Sequence, residues 1–288
     1  MSAAVTTSAA ATEGRATVEI AQGRVAYRDL GAGEPIVFVH GLLVDGRLWV
    51  GVAERLASDY RCLVVDWPMG SHKIAMNAEA DLSPPGMVEV IVAFLDALGL
   101  DRVTVVGNDS GGAISQMLTA AHPDRVERLI LTNCDMFEHF PPFPFSLMPP
   151  IARIPGGMNL LAAPFRIGAL RRATYSLLVA HEIAPELVDD WLTPMATDSA
   201  VKCDARKLTA GMNKHHTLAA AQGMRTFERP LRLAWASEDR FFRLADAERL
   251  AAMVADSRIE TIADAKTFVP LDQPARVAEL IAEFIADR

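Results

Sequence analysis

The stretch VVGNDSGGA, residues 105–113, begins as a β-branched apolar run and ends in a pair of glycines, the pattern of a strand that turns sharply into a helix. At its centre stands Asp109. Aspartate is favourable at a helix N-terminus, where its carboxylate accepts orphan N–H groups and gains from the helix dipole, so the position can be explained without chemistry. A carboxylate held at such a turn is also a usable nucleophile or proton carrier. The glycines at 107, 111 and 112 do not form a phosphate loop, because neither G-x-G-x-x-G nor a P-loop lysine is present.

On both sides of this stretch, short β-branched runs alternate with longer helical patterns, which predicts a mostly parallel sheet wrapped by helices. Strands are expected at 17–22, 24–29, 35–39, 62–66, 103–107, 127–132, 231–236 and 258–262, and helices at 48–58, 86–99, 110–121, 243–254 and 273–287. Gln22-Gly23 is a tight-turn signal, so the first two strands should form an antiparallel hairpin edge. The alternation breaks between 137 and 229, where Pro, Phe and Met accumulate before a helical pattern returns. We read 15–136 and 230–288 as one α/β core, 137–229 as a helical cap inserted into it, and 1–14 as a disordered tail. A cap of this composition favours a small apolar, uncharged substrate.

The chain has 288 residues, 51% of them apolar, enough for one large core or a core with a subdomain. A net charge of -8 and a pI near 5.4 count against nucleic acid and membrane as partners, since polyanions require clustered Lys and Arg. Cys62, Cys134 and Cys203 are widely spaced and outside any C-x-x-C pattern, so neither a disulfide framework nor a metal site is expected, and no cofactor is implied. A cytoplasmic location is the expectation. The opening MSAAVTTSAAATEG lacks the basic and apolar regions of a signal peptide, and no apolar run approaches the roughly 18 residues of a membrane span. A homodimer is left open.

The segments VFVHG (37–41), DWPMG (66–70), GNDSGG (107–112), AHPDRVERLIL (121–131), WASEDRF (235–241) and FVPLDQP (268–274) occur in the order and spacing of the α/β-hydrolase family, which the chain resembles over nearly its whole length after residue 17. The resemblance implies eight strands with a cap after the sixth, and a nucleophile at the middle of G-x-Nuc-x-G, here Asp109 between Gly107 and Gly111. Ser110 is the rival, but its frame would put Asn108 where a small residue is needed. Asp at this place is similar to the haloalkane dehalogenase and epoxide hydrolase branches, in which a carboxylate attacks an sp3 carbon and forms an alkyl ester on the enzyme. The backbone N–H groups of Leu42 and Ser110 would form the oxyanion hole. His40 is expected to shape that loop. With Gly41, Phe137, Phe140, Phe143, Tyr175, Thr267 and Phe268 it is placed around the substrate pocket. His122 reads as a surface residue at a helix end.

The chain departs from the family at an informative place. The usual Gly-His before Phe-Val-Pro is replaced by ADAKTFVP, so that Thr267 stands where the catalytic histidine belongs. A threonine hydroxyl is not a base at neutral pH, and Lys266 would be protonated unless desolvated. Loss of a general base costs about 10²- to 10⁴-fold, or about 3–5 kcal/mol of barrier. Asp239, at the family's acid position, and Asp135, after strand six where some dehalogenase relatives keep their acid, are the candidate substitutes; His215 and His216 are outside ones. The Trp after the nucleophile, or the Asn after His-Gly, that holds a leaving halide is replaced by Ser110 and Leu42. The tyrosine pair of epoxide hydrolases is reduced to Tyr175. The expectation is a hydrolase-family enzyme acting on a small apolar substrate through Asp109, in the manner of an epoxide hydrolase or dehalogenase. Two alternatives stay open: a non-hydrolytic lyase, isomerase or cyclase using Asp109 as general acid or base, and a catalytically inactive ligand-binding homologue.

Overall fold

The computed structural model describes residues 14–287, so the tail expected over 1–14 falls almost wholly outside the described residues. Eight strands, β1 (Ala16–Ile20), β2 (Gly23–Leu30), β3 (Glu34–Val39), β4 (Tyr60–Asp66), β5 (Val103–Asp109), β6 (Val126–Cys134), β7 (Leu231–Ala236) and β8 (Ser257–Ile262), form a single sheet. Their spatial order is β1-β2-β4-β3-β5-β6-β7-β8. β1, β2 and β4 pair antiparallel, and every neighbour from β4 onward is parallel. Every expected strand forms, with ends displaced by no more than two residues. Ile20 pairs with Gly23, so the hairpin turn is Ala21-Gln22, one residue earlier than the glycine signal implied.

The apolar runs of the central strands divide between two cores because successive side chains leave opposite faces of the sheet. Val37, Val39, Val105 and Leu131 pack on one side with Phe94 of α2 (Pro84–Ala97) and Ile114 of α3 (Ser110–Ala121). Ile36, Phe38, Val106 and Ile130 pack on the other with Trp49 of α1 (Arg47–Leu56).

The segment between β6 and β7 contains α4 (Met148–Arg153), α5 (Gly157–Ala162), α6 (Gly168–Ser176), α7 (Pro185–Thr197), α8 (Ser199–Gly211) and α9 (Lys214–Gly223). Its last two helices are side walls of the core. A Cβ at Gly223 of α9 would lie 2.6 Å from the Cβ of Ala120 in α3, and one at Gly211 of α8 would lie 2.6 Å from Cδ of Pro84 in α2. The buried His72 and Asp204 meet at 3.1 Å and fix α8 to the loop after β4, whose Met76 N–H also donates to Asp204 at 2.9 Å. The chain closes with α10 (Leu244–Ala251), the short turn α11 (Val269–Asp272) and α12 (Pro274–Ala286).

β5 runs into α3 with no linker, and Asp109 absorbs the change of direction at φ 54°, ψ -135°. Such a conformation costs a non-glycine residue on the order of 1–3 kcal/mol, so its surroundings must enforce it. They do so by contact. A Cβ at Gly107 would lie 2.6 Å from Ser115 Oγ, one at Gly111 would lie 2.2 Å from the His40 carbonyl oxygen, and one at Gly112 would lie 2.3 Å from the Cβ of Cys134. Gly111→Ala should therefore cost about 2–3 kcal/mol, since backbone cannot yield as a flexible side chain can. Gly51→Ala, inside α1 where the new Cβ would sit 3.4 Å from Pro274 Cβ, should instead gain about 0.5–1 kcal/mol. Thermal denaturation of the two variants checks this pair of opposite signs, at roughly 2–4 °C per kcal/mol.

Candidate active site

A cavity of about 90 Å3 opens above the carboxyl ends of β5 and β6, between the sheet and the inserted segment. Leu42, Asp109, Ser110, Asp135 and Thr267 form its polar side, and Phe145, Met148, Phe165, Leu178, Phe241 and Phe242 supply an apolar wall. The volume is below the roughly 150 Å3 that holds benzene in an engineered protein cavity, so the occupant is small.

Asp109 reaches this cavity because the elbow lifts its side chain off the strand. The carboxylate nests against Gly41, where a Cβ would overlap Oδ2 at 2.0 Å. Its side chain does not cap α3 in the usual way. Burial raises its pKa to about 7 against the opposing pull of the Ser110 N–H, and the charge of Asp239 raises it further. The Leu42 N–H and the Ser110 hydroxyl also favour the ionised form. The two groups are linked, since Leu42 N–H donates to Ser110 Oγ at 2.8 Å. Of the two N–H groups expected as oxyanion donors, that of Leu42 is therefore engaged by the serine hydroxyl beside the carboxylate.

Asp135 faces the same cavity from the end of β6, almost fully buried, and its Oδ1 has no hydrogen-bond partner. Burial, and then the neighbouring charge of Asp109, hold its pKa well above the usual carboxylate range. Two carboxyl groups in one dry site cannot both ionise cheaply. Asp109 has the N–H donors, so it takes the charge and Asp135 keeps the proton.

Thr267 occupies the floor, and its hydroxyl donates to Asp239 at 3.0 Å. Asp239 lies behind it, outside the cavity lining, and also accepts from the N–H groups of Phe241 at 2.7 Å and Phe242 at 3.2 Å. Burial raises the Asp239 pKa while these donors oppose the shift. Lys266 turns away, its ammonium donating to the Val179 carbonyl at 2.8 Å. Two positioning residues carried no readable signal in the sequence. Asn108 Nδ2 donates to the Thr267 carbonyl at 2.7 Å and to Thr132 Oγ1 at 2.8 Å, joining the elbow to the floor loop. Asp272 accepts from the N–H groups of Ala180, His181 and Lys266, joining that loop to the inserted segment.

Several residues expected around the pocket lie elsewhere. His40 is fully buried behind it: Trp67 N–H donates to Nε2 at 2.9 Å and Nδ1 meets the Gly41 carbonyl at 2.9 Å, so the ring is neutral. Burial pushes its pKa down to about 4. Gly41 touches Asp109 but not the cavity. Phe137 is buried under the Arg249 guanidinium, 3.9 Å from its ring centroid, Phe140 is buried in the core, and Phe143 is 78% exposed. The proline-rich run has no helical or strand period, so spacing could not tell which phenylalanine faces inward. Tyr175 and Phe268 do line the cavity, but the Tyr175 hydroxyl is already committed to the Leu43 carbonyl at 2.6 Å. None of the chain's seven histidines lines it; His215 is exposed, His216 is half-buried, and His122 meets Glu89 at the surface.

The comparisons agree with this architecture. Residues 34–274 match the family described as alpha/beta hydrolase fold. The haloalkane dehalogenase 2 of Mycobacterium tuberculosis is 28% identical over 277 residues, covering 91% of each chain, and the 2-hydroxymuconate semialdehyde hydrolase of a Pseudomonas species is 24% identical over 92% of this chain and 91% of that one. Among solved structures, haloalkane dehalogenase DbeA from Bradyrhizobium elkani superposes with a TM-score of 0.78 at 17% identity, covering 94% of this chain and 96% of that one. An alpha/beta hydrolase fold protein from Burkholderia ambifaria superposes with 0.77 at 21% identity, covering 98% and 99%. With an eight-stranded sheet in the order described, an elbow at the end of β5 and a family match across most of its length, this chain belongs to the α/β hydrolase fold family.

Proposed function

We propose that the protein is a hydrolase that opens a small apolar epoxide by attack of Asp109, with Asp135 as the proton carrier. The observation that carries this reading is the pairing of two buried carboxyl groups on one cavity that no histidine lines. A halide leaving group has no use for a proton, and Leu42 and Ser110 stand where halide ligands would be needed. An epoxide oxygen does need one, and a carboxyl group kept neutral by burial can donate it.

The atoms balance over two half-reactions. An Asp109 oxygen bonds to an epoxide carbon, that C–O bond breaks, and the oxygen takes the proton of Asp135. The products are a hydroxyalkyl ester on Asp109 and a carboxylate at Asp135. Asp135 then removes a proton from water, and the hydroxide adds to the ester carbonyl. The resulting oxyanion sits by the N–H groups of Ser110 and Leu42. Collapse expels the alcohol, which takes the proton of the newly formed Asp109 carboxyl. A diol leaves, with Asp109 ionised and Asp135 protonated as at the start. One residue thus serves as acid and then base, as the acid–base carboxyl group does in retaining glycoside hydrolysis. The dehalogenase and the semialdehyde hydrolase among the relatives support the hydrolytic class, not the substrate.

Incubation with small terminal epoxides, followed by intact-protein mass spectrometry, tests the scheme. The wild type should turn over, Asp135→Asn should form the adduct on Asp109 about 10²- to 10⁴-fold more slowly and also release it more slowly, and Asp109→Asn should give none. Thr267→His should speed release in the Asp135→Asn background, because Asp239 remains behind position 267. If no epoxide gives either diol or adduct, the non-hydrolytic and ligand-binding alternatives, which the absence of a histidine favours, take precedence.

Attack needs Asp109 ionised and ring opening needs Asp135 protonated, so the single-turnover rate should rise as pH passes about 7 and fall again once Asp135 loses its proton. Both folded pKa values lie above the unfolded value of about 3.9, so the folded state holds more protons there and stability declines as pH rises from about 4 through about 7. Asp109→Asn should flatten that decline in chemical denaturation at a series of pH values.

A further inference from the structure

All of the large apolar side chains that stand most exposed belong to one part of the inserted segment: Phe143, Leu147, Ile154, Leu160, Ile167, Leu170 and Leu177, with exposures of 45–78%. Between residues 139 and 181 the chain contains four arginines and no Asp or Glu, although the whole chain carries -8. Arg171 pairs with Asp189 at 3.0 Å, whereas Arg153, Arg166 and Arg172 are exposed and meet no carboxylate among the described residues. Charge averaged over 288 residues concealed this basic stretch, which is acid-free in sequence and meets one carboxylate, Asp189, through Arg171.

The patch adjoins the cavity. Phe145, Met148, Phe165 and Thr174 face inward and alternate along the chain with the exposed Phe143, Leu147, Ile167 and Leu177. Ile167 and Leu177 cap the two ends of α6 and Leu170 lies in its first turn, all three exposed, while Tyr175 of the same helix is buried.

We infer that the outer face of residues 143–177 docks on the surface of an anionic phospholipid bilayer, which places the cavity mouth at the lipid. Apolar side chains interleaved with arginine are what an interfacial segment presents, the former entering the acyl boundary and the latter meeting phosphate headgroups. A second copy of the chain is a poor occupant, because an isologous contact would set arginines against arginines with no acid between them. A partner protein would need a pocket for each protruding side chain, whereas a bilayer accepts them without a shape match. An apolar substrate that partitions into lipid would reach the cavity without crossing water, but docking does not depend on the reaction at Asp109.

Flotation of the full chain with vesicles tests the inference. The protein should float with phosphatidylcholine vesicles containing phosphatidylglycerol and much less with phosphatidylcholine alone. Arg166→Gln with Arg172→Gln should weaken binding about 30-fold, at roughly 1 kcal/mol per basic residue. Ile167→Ser with Leu177→Ser should weaken it at least about 10-fold, with an unchanged circular dichroism spectrum. Equal flotation of wild type and both variants, or no flotation with anionic vesicles, would overturn the proposal. So would a dimer in sedimentation velocity that the serine variant dissolves, which would assign the patch to self-association.

Discussion

A carboxyl group that must ionise inside an apolar cavity depends on backbone N–H groups, since water is excluded and no cation lines the site. Those N–H groups reach Asp109 only if the backbone doubles back beneath its own side chain, which is what φ 54° accomplishes. That turn leaves no room for side chains at 41, 107, 111 and 112. The glycines, the abrupt junction of β5 with α3 and the close approach of α3 to β6 all follow from one electrostatic requirement. A stability cost at the elbow is offset by the two cores packed on either side of the sheet.

The threonine at the cavity floor bears on the carboxyl groups around it. An imidazolium beside Asp109 would favour the ionised carboxylate. With a threonine at position 267, Asp239 has a hydroxyl donor, and only N–H and hydroxyl donors, no cation, oppose burial of the carboxyl groups in the cavity. Burial, and then the neighbouring carboxylates, drive Asp109 and Asp135 both toward the neutral form.

The fold was legible because its determinants are local and periodic: β-branched runs for the strands, paired glycines for the elbow, and β5 and α3 found where the pattern put them. Asp109, Asp135 and Thr267 were legible through motif order. Asn108 and Asp272 were not, since their importance lies in contacts with residues far along the chain, 159 positions away for Asn108 and Thr267. The phenylalanines failed for a different reason. In FEHFPPFPF the backbone follows no repeating period, so Phe145 facing the cavity and Phe143 facing solvent cannot be told apart by spacing.

The clamp around Asp272 gives the cavity a stiff side and a compliant side. Ala180 and His181 are bonded to that carboxylate, Phe268 N–H to the Leu178 carbonyl and Lys266 to the Val179 carbonyl, so the wall at 178–181 cannot move without carrying the loop that bears Thr267. Across the opening, the rim at 142–147 is held by short-range bonds, Ser146 N–H to the Pro142 carbonyl at 2.9 Å and Leu147 N–H to the Pro144 carbonyl at 3.1 Å, and by the packing of Phe145 on Phe241. The rim at 142–147 is thus tied to the rest of the cavity wall by fewer long-range bonds than the wall at 178–181. A change at Asp272 would therefore be felt at once in the floor loop and the cavity wall, whereas one at 142–147 would stay local.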